Sequence, residues 1–379
     1  MKRQKILIVS LLLLLIVFFI NVPPAEFREY IDSVGTAIKG KIDTIGDTPI
    51  SSTSAGNYDE SILGNEYHYY YSTLSDEDKL IYRQIYYAMQ NYPTGVMLAT
   101  TNGEKVSEIQ QYVTLDNPQF FHFERGQYSL GTTLTFTEIS NMSDEEIDNA
   151  QMAIDNYVSA ALSGISNESS EYDKALFIYE YIINNTDYVD NAPYNQNIYS
   201  VVKGQTVCQG YAMMYKYLCD QLGIKCIVVT GEADGDPHAW NLACLDGQWC
   251  HIDCTYGDSD YLGKNIGYNW FGVNDSIIKN NRTITYESHL PEATSIENDY
   301  YYRNGLYLDS YTLKNMQNMC VGQSYMTVKF ATSSVYNEAC QDLFVNNNSQ
   351  YLVVSKNGGT ITYIQEPNSQ TIFIRFTLE

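Results

Sequence analysis

The sequence predicts an α+β protein in which one helix, beginning at a cysteine, packs on an antiparallel sheet. Three observations support this fold class: a helical stripe of apolar residues follows Cys208, β-branched runs follow that helix, and Asp246-Gly247 between two of the runs is a hairpin signal. Shorter helical and strand patterns lie on both sides of this stretch. We therefore expect an N-terminal α/β region and a small C-terminal α/β domain around the core.

Composition and charge indicate a folded, acidic protein and argue against nucleic-acid binding. The chain has 379 residues, 44% of them hydrophobic, which leaves room for roughly two or three domains with a substantial core. Its 22 Lys and Arg against 45 Asp and Glu give a net charge of −23, so most of the surface would repel a nucleic-acid backbone. The excess of acidic residues is consistent with a solvated surface or with attraction of basic partners, and it does not identify a substrate.

Residues 1–22 have the pattern of an export segment. Basic residues including Lys2 and Arg3 precede the run Ile6–Ile20, which is apolar except for Ser10. No clear cleavage motif follows, so this segment is either a single-pass membrane anchor or a cleaved signal peptide. The basic flank predicts that the rest of the chain lies outside the cytoplasm, tethered to the cell membrane or secreted.

The segment between the export signal and the core divides into a stalk and a folded region. Residues 23–64 include a stretch rich in Ser, Thr, Gly and Pro and are predicted to be a stalk or linker. Residues 65–170 are predicted to form the N-terminal α/β region, with a helix starting after Ser75, a capping box at Ser143 and strands at 120–123 and 132–139.

The core is predicted to span residues 171–299 and the C-terminal α/β domain residues 300–379. The C-terminal pattern predicts strands at 326–331, 351–355, 360–365 and 371–378 and a helix near 335–343. No catalytic pattern and no fixed repeat occurs there, and a substrate-recognition role is a hypothesis from modularity alone.

Cys208 stands where a nucleophile would be activated. The helical stripe that follows it stops at Gly223, so Cys208 lies at a helix N-terminus, where the helix dipole favours a thiolate. Strands are predicted over Ile224–Thr230, from His238 onward, and over Gln248–Thr255. The hairpin would bring Asp253 across from His238, with the other imidazole nitrogen facing the thiol.

Four motifs in this order resemble the transglutaminase-like superfamily, whose members share a papain-like Cys-His-Asp fold, and in particular its exported or membrane-tethered bacterial type. They are V-C-x-G-Y-A at Val207–Ala212, G-I-x-C/A-x-x-V at Gly223–Val229, H-A-W-N at His238–Asn241 and G-x-W-x-x-x-D-x-T at Gly247–Thr255. The resemblance extends loosely over residues 172–272.

The resemblance implies a role for each matching residue. Cys208 would be the nucleophile, His238 the general base and later acid, and Asp253 the carboxylate that orients the imidazole. It also implies an oxyanion donor, for which Gln205 and Tyr199 are candidates, with a cap or packing role as the alternative for each. Trp240 would shield the ion pair from water, or be an ordinary core residue.

Other groups have plainer interpretations. His251 precedes Asp253 by two residues on one strand and is interpreted as a neighbour rather than the base. Five further cysteines fit small buried hydrophobes: Cys219, Cys226, Cys244, Cys250 and Cys254. The absence of a C-x-x-C pair leaves a zinc or redox site without support. Acidic residues between Glu232 and Asp236 lack a full calcium loop and are interpreted as a polar turn, so no metal or cofactor is expected.

The predicted function is acyl transfer through a thioester on Cys208. Hydrolysis of peptide or amide bonds in an extracellular protein or cell-wall peptide is the first hypothesis, and crosslinking by a transglutaminase is the second, because both reactions share the first half. A surface binding module that has the fold without turnover is the third.

Overall fold

The computed structural model describes residues 58–378 except 92–95, 124, 131–133, 140–141, 195, 259–265, 286 and 353–358. The predicted export segment and most of the predicted stalk therefore lie outside the described residues. Among the residues that are described, no helix has the length and apolar composition needed to cross a membrane.

The described residues form a mixed helix and sheet structure, as predicted. Its α-helices are α1 Tyr69–Thr73, α2 Asp76–Gln90, α3 Gly103–Asp116, α4 Asp144–Ser163, α5 Glu171–Asn184, α6 Ile198–Val202, α7 Cys208–Gln221, α8 Cys254–Gly257, α9 Asp275–Ile278, α10 Tyr300–Arg303, α11 Leu313–Cys320 and α12 Ser333–Cys340. Its strands are β1 Val96–Met97, β2 Arg125–Leu130, β3 Leu134–Ile139, β4 Asp187–Tyr188, β5 Gln205–Thr206, β6 Cys226–Ala233, β7 Asp236–Leu245, β8 Gln248–Ile252, β9 Phe271–Val273, β10 Arg282–Ile284, β11 Tyr307–Leu308, β12 Tyr325–Phe330, β13 Gly359–Glu366 and β14 Thr371–Leu378.

Side-chain caps fix where the longer N-terminal helices begin. The Ser75 hydroxyl accepts a hydrogen bond from Asp78 N at the start of α2, and acidic residues occupy that first turn, where the helix dipole favours them. At α4, Ser143 and Glu146 form the predicted capping box. Both helices therefore start where the sequence indicates.

The central sheet has five strands in the order β10-β6-β7-β8-β9, all antiparallel. Asp246 and Gly247 form the β7–β8 turn with φ of 51° and 83°, as the hairpin signal predicts. Helix α7 packs on β6 and β7, where Asn241 Nδ2 donates to Ala212 O at 2.9 Å. This is the predicted packing of the cysteine helix on an antiparallel sheet.

Three element predictions need correction. Strand β8 ends at Ile252 rather than Thr255, because Asp253 instead accepts a hydrogen bond from Tyr256 N and caps α8. Residues 120–123 form turns rather than a strand, with Phe123 N donating to Phe120 O. Of the strand predicted at 351–355, Tyr351 and Leu352 belong to a 3₁₀-helix, Asn348–Leu352, and the rest lies outside the described residues.

One buried hydrophobic cluster extends from Leu63 to Ala293 and joins the N-terminal helices to the central sheet. Polar contacts cross the same junction: Tyr70 Oη donates to Val228 O at 2.7 Å, and Lys216 Nζ donates to Tyr67 O at 3.0 Å. The Lys216 ammonium is fully buried and also lies 2.7 Å from an Asp220 oxygen. Helices α1 to α4 therefore contribute to the same core as the central sheet.

A second buried cluster extends from Tyr311 to Ile374, between α11, α12 and the sheet β11-β12-β14-β13. An ion pair links this unit to the first: Lys329 Nζ of β12 lies 2.5 Å from Asp299 Oδ2, and both side chains are buried. The domain boundaries drawn from the sequence at residues 170 and 299 stay predictions.

Candidate active site

Cys208 is the first residue of α7, and its side chain is half-buried. The N-cap residue is Val207, whose side chain has no acceptor to offer the first-turn N–H groups. Those N–H groups therefore point their partial positive charge toward the thiol end of the helix. A short parallel pair, β4 with β5, places Tyr188 beside Thr206, two residues before the cysteine.

His238 and Asp253 are brought together by the β6–β7–β8 part of the sheet. His238 Nε2 lies 2.8 Å from Asp253 Oδ2, and the Cys208 side chain is a second hydrogen-bond partner of the imidazole. The strand register differs in detail from the expectation: Asn241 is opposite Ile252, so Asp253 lies just beyond the last paired residue of β8 and reaches His238 diagonally. The geometry is a Cys208–His238–Asp253 array.

The array favours a charged imidazole. Burial alone would lower the pKa of His238, but the Asp253 carboxylate and the Cys208 sulfur outweigh it and raise that pKa to about 9. Burial would likewise raise the pKa of Asp253, yet His238 and Arg282 together hold it well below its usual range. Asp253 is therefore a fully buried carboxylate that stays ionised.

Arg282, at the start of β10, is a member of the site that the sequence did not reveal. Its Nη2 lies 2.6 Å from Asp253 Oδ2, and its side chain is fully buried. The guanidinium carbon lies 3.9 Å from the ring centroid of Trp270 and 4.4 Å from that of Tyr256, which are cation–π distances. The available signal was an arginine directly before the β-branched run Thr283–Thr285, and that pattern does not show whether the side chain points inward.

Trp240 stacks on His238, with ring centroids 5.8 Å apart and an interplanar angle of 18°. Its Nε1 donates to His251 Nδ1 at 3.1 Å, and His251 Nε2 in turn donates to Asp275 Oδ1 at 2.9 Å. Burial lowers the pKa of His251 and favours its neutral form. His251 thus belongs to a separate pair with Asp275, beneath Trp240.

The two other oxyanion candidates lie in different surroundings. Gln205 is exposed on β5, where its backbone pairs with Asp187. Tyr199 is buried in α6, with its ring centroid 6.3 Å from that of Phe121 and Lys203 Nζ over its face. The role of either residue stays a prediction.

Tyr188 is a second residue that the sequence did not single out. Burial raises the pKa of its hydroxyl to about 12, with further contributions from Cys208, Asp190 and Asp236. Those contributions place its phenol in the electrostatic surroundings of the thiol, and the side chain is 46% exposed. Tyr188 is therefore a partly exposed neighbour of Cys208.

The acidic stretch between β6 and β7 forms a tight turn. Asp234 and Gly235 have φ of 53° and 92°, and Asp234 Oδ2 accepts hydrogen bonds from Tyr256 Oη and Asn281 Nδ2. No group of three or more His, Cys, Asp or Glu side chains within the described ranges is arranged to hold a metal ion. All eight cysteines of the chain are free, and burial raises the pKa of Cys250 and Cys254.

Residues 159–254 match the model of the transglutaminase-like superfamily core. The chain therefore contains a transglutaminase-like core domain, and the matched stretch includes Cys208, His238 and Asp253.

The chain is also similar to kyphoscoliosis peptidase. It is 27% identical to the mouse (Mus musculus) protein over 100 residues, which are 23% of this chain and 15% of that protein. It is 23% identical to the human (Homo sapiens) protein over 185 residues, 41% of this chain and 27% of that protein. The chain thus spans about a quarter or less of these relatives. A crystal structure of a TGase is 18% identical, with 36% of this chain and 45% of that chain covered and a TM-score of 0.27.

Proposed function

We propose that this protein is an exported thiol enzyme that forms a thioester on Cys208 and hydrolyses peptide or amide bonds in extracellular or cell-wall substrates. The observation that carries the proposal is the His238 imidazole, which lies 2.8 Å from Asp253 and has the Cys208 side chain as its other hydrogen-bond partner. A nucleophile, a base and a group that orients the base are what this chemistry requires.

The reaction follows from those three positions. The Cys208 sulfur attacks the carbonyl carbon of the amide, while its proton resides on His238 and the carbonyl oxygen faces the first-turn N–H groups of α7. The C–N bond then breaks, and His238 gives its proton to the departing amine. Water attacks the thioester as His238 accepts a proton from it, and the acid leaves with Cys208 restored.

Hydrolysis is preferred over crosslinking because the curated relatives carry the name peptidase. An amine in place of water in the second half would make the protein a crosslinking enzyme with the same array. The proposed location is outside the cytoplasm, either tethered by residues 1–22 or released after their cleavage.

The test is to incubate the full chain with a mixture of extracellular proteins and a fluorescent primary amine, and to measure new α-amino groups, released ammonia and amine incorporation in parallel. New α-amino groups or ammonia without incorporation support hydrolysis, and incorporation supports crosslinking. Cys208→Ala should lower the rate by about 10⁴-fold. Cys244→Ala, at a half-buried thiol on β7, is the matched control and should leave it unchanged. No reaction in the wild type would instead favour a binding module.

A further inference from the structure

Asp253 makes two charged contacts through the same oxygen. Oδ2 lies 2.8 Å from His238 Nε2 and 2.6 Å from Arg282 Nη2, while Oδ1 accepts the Tyr256 N–H at 3.1 Å. A carboxylate that only had to orient an imidazole would need one partner. Here a permanent positive charge is placed against the oxygen that binds the histidine.

Burial makes this arrangement costly unless the charges balance. The side chains of Arg282 and Asp253 are both fully excluded from solvent, and an unpaired ion in that position is strongly unfavourable. Arg282 Nη1 also donates to Asn281 Oδ1 at 2.7 Å, and Trp270 and Tyr256 pack against the guanidinium faces. The guanidinium is thus fixed at Asp253 rather than free to swing away.

We propose that Arg282 is a positioning residue of the catalytic centre, which keeps Asp253 ionised and limits how strongly that carboxylate holds a proton on His238. The inference rests on the proposed function for its kinetic consequences. It goes beyond that function by adding a fourth charged member, from an edge strand, to the Cys208–His238–Asp253 array.

The charge balance explains the role. With Arg282 present, the four groups sum to zero whether the proton is on the Cys208 sulfur or on His238. With a neutral residue at position 282, both states would carry one buried negative charge, and the imidazolium would be held more tightly. A histidine that cannot release its proton is a poor base, so Arg282 keeps the proton transferable.

Other titratable groups surround Asp253 and Arg282 from each packed element. They are Tyr179 of α5, Cys208 of α7, Asp234 of the β6–β7 turn, His251 of β8, and Cys254 and Tyr256 of α8. The pKa of His251 is lowered and those of Tyr179, Cys254 and Tyr256 are raised, so these four stay neutral near neutral pH. Arg282 therefore supplies the positive charge that faces Asp253 when His238 is neutral.

The proposal is tested by measuring the pKa of His238 by NMR in a Cys208→Ala background, which cannot form the thioester. His238→Gln identifies the resonance. Arg282→Met and Arg282→Gln should raise the pKa of His238 by one unit or more, because a like charge within hydrogen-bonding distance of the shared oxygen is removed. Arg282→Lys keeps the positive charge, so the pKa of His238 in this variant should stay within about half a unit of its value with Arg282 present.

A purely structural role for Arg282 predicts a different result. Its loss would lower the denaturation midpoint but leave the pKa of His238 unchanged in whatever fraction is folded, and that result in either neutral variant would overturn the proposal. Arg282→Gln retains an N–H donor for Asp253. If Arg282→Met does not fold, Arg282→Gln tests the same expected rise in the pKa of His238.

With Cys208 intact, the neutral variants should move the alkaline limb of the activity profile upward by the same amount, while Arg282→Lys should not. If no variant and no wild type shows activity, the proposed function fails, and the NMR titration still decides the role of Arg282.

Discussion

Asp253 is the carboxylate that contacts both positively charged groups of the site, protonated His238 and Arg282. Asp253→Asn keeps the shape but removes the charge, and it leaves the Arg282 guanidinium buried without a counter-ion. We expect turnover to fall by about 10⁴-fold and the free energy of unfolding to fall by about 3 kcal/mol.

Kinetics and chemical denaturation check the two effects of Asp253→Asn separately. Asp275→Asn is the matched control, because that carboxylate also accepts from a histidine, His251, but is 24% exposed and outside the array. Equal losses of turnover in the two variants would contradict the role assigned to Asp253.

His238 should make stability depend on pH at alkaline values. Its pKa is about 9 in the folded chain, above the ordinary value of 6.5, so folding favours the protonated form. The stabilisation is complete below pH 6.5 and is lost as pH rises through 9, with a magnitude of roughly 3 kcal/mol.

Denaturation of wild type and His238→Gln between pH 5 and 10.5 measures the contribution of His238 to the free energy of unfolding. The gap between their free energies of unfolding should be largest below pH 6.5 and shrink as pH rises through 9. His289→Gln, at an exposed position, is the control. A gap of constant size across the range would show that His238 does not carry the effect.

At the scale of elements, the site depends on how closely β10 approaches β6. Gly231 of β6 faces β10, and a Cβ at this position would lie 1.9 Å from Thr283 O, too close for any side chain. Gly231→Ala must therefore push β10 outward, and β10 carries Arg282. We expect a loss of about 1–3 kcal/mol of unfolding free energy, measured by urea denaturation.

Gly103→Ala is the matched control for that substitution. Gly103 opens α3, its Cβ would meet nothing within 4 Å, and alanine should be neutral or stabilising by about 0.5 kcal/mol. If Gly231→Ala also leaves the free energy of unfolding unchanged, β10 does not lie against Gly231 as the structure shows.

The same elements show what the sequence could and could not predict. The proximity of Cys208, His238 and Asp253 was predictable from local signals: a helix start for the cysteine, and a hairpin turn between two adjacent strands for the histidine and the aspartate. The position of Arg282 beside Asp253 was not predictable. It depends on the pairing of β10 with β6, and no periodic pattern in the sequence connects Arg282 with Asp253. Long-range pairing of a three-residue strand has too little local signal to predict.

At the scale of the whole molecule, a buried ion pair joins the two hydrophobic clusters. Lys329 of β12 lies 2.5 Å from Asp299, which also caps α10 through Tyr301 N. Lys329→Met should cost about 3–5 kcal/mol, because it leaves the Asp299 charge buried and unpaired.

Adding Asp299→Asn to Lys329→Met should recover much of that loss, since the double variant buries no charge and the asparagine oxygen can still cap α10. Thermal unfolding followed by intrinsic fluorescence gives the comparison. Losses that simply add in the double variant would mean that the two residues do not act as a pair.

The contacts of Tyr67 and Tyr70 with the sheet set a limit on dissecting this protein. The family match begins at residue 159, but the Lys216 ammonium relies on the Tyr67 carbonyl, and Val228 O accepts from Tyr70. A shortened chain starting at the match would expose the apolar face that the N-terminal helices cover, and Lys216 would keep Asp220 but lose the Tyr67 carbonyl. Swapping the matched segment alone between relatives should therefore yield insoluble chimaeras, whereas exchanges that begin before Tyr67 carry the helices that the sheet needs.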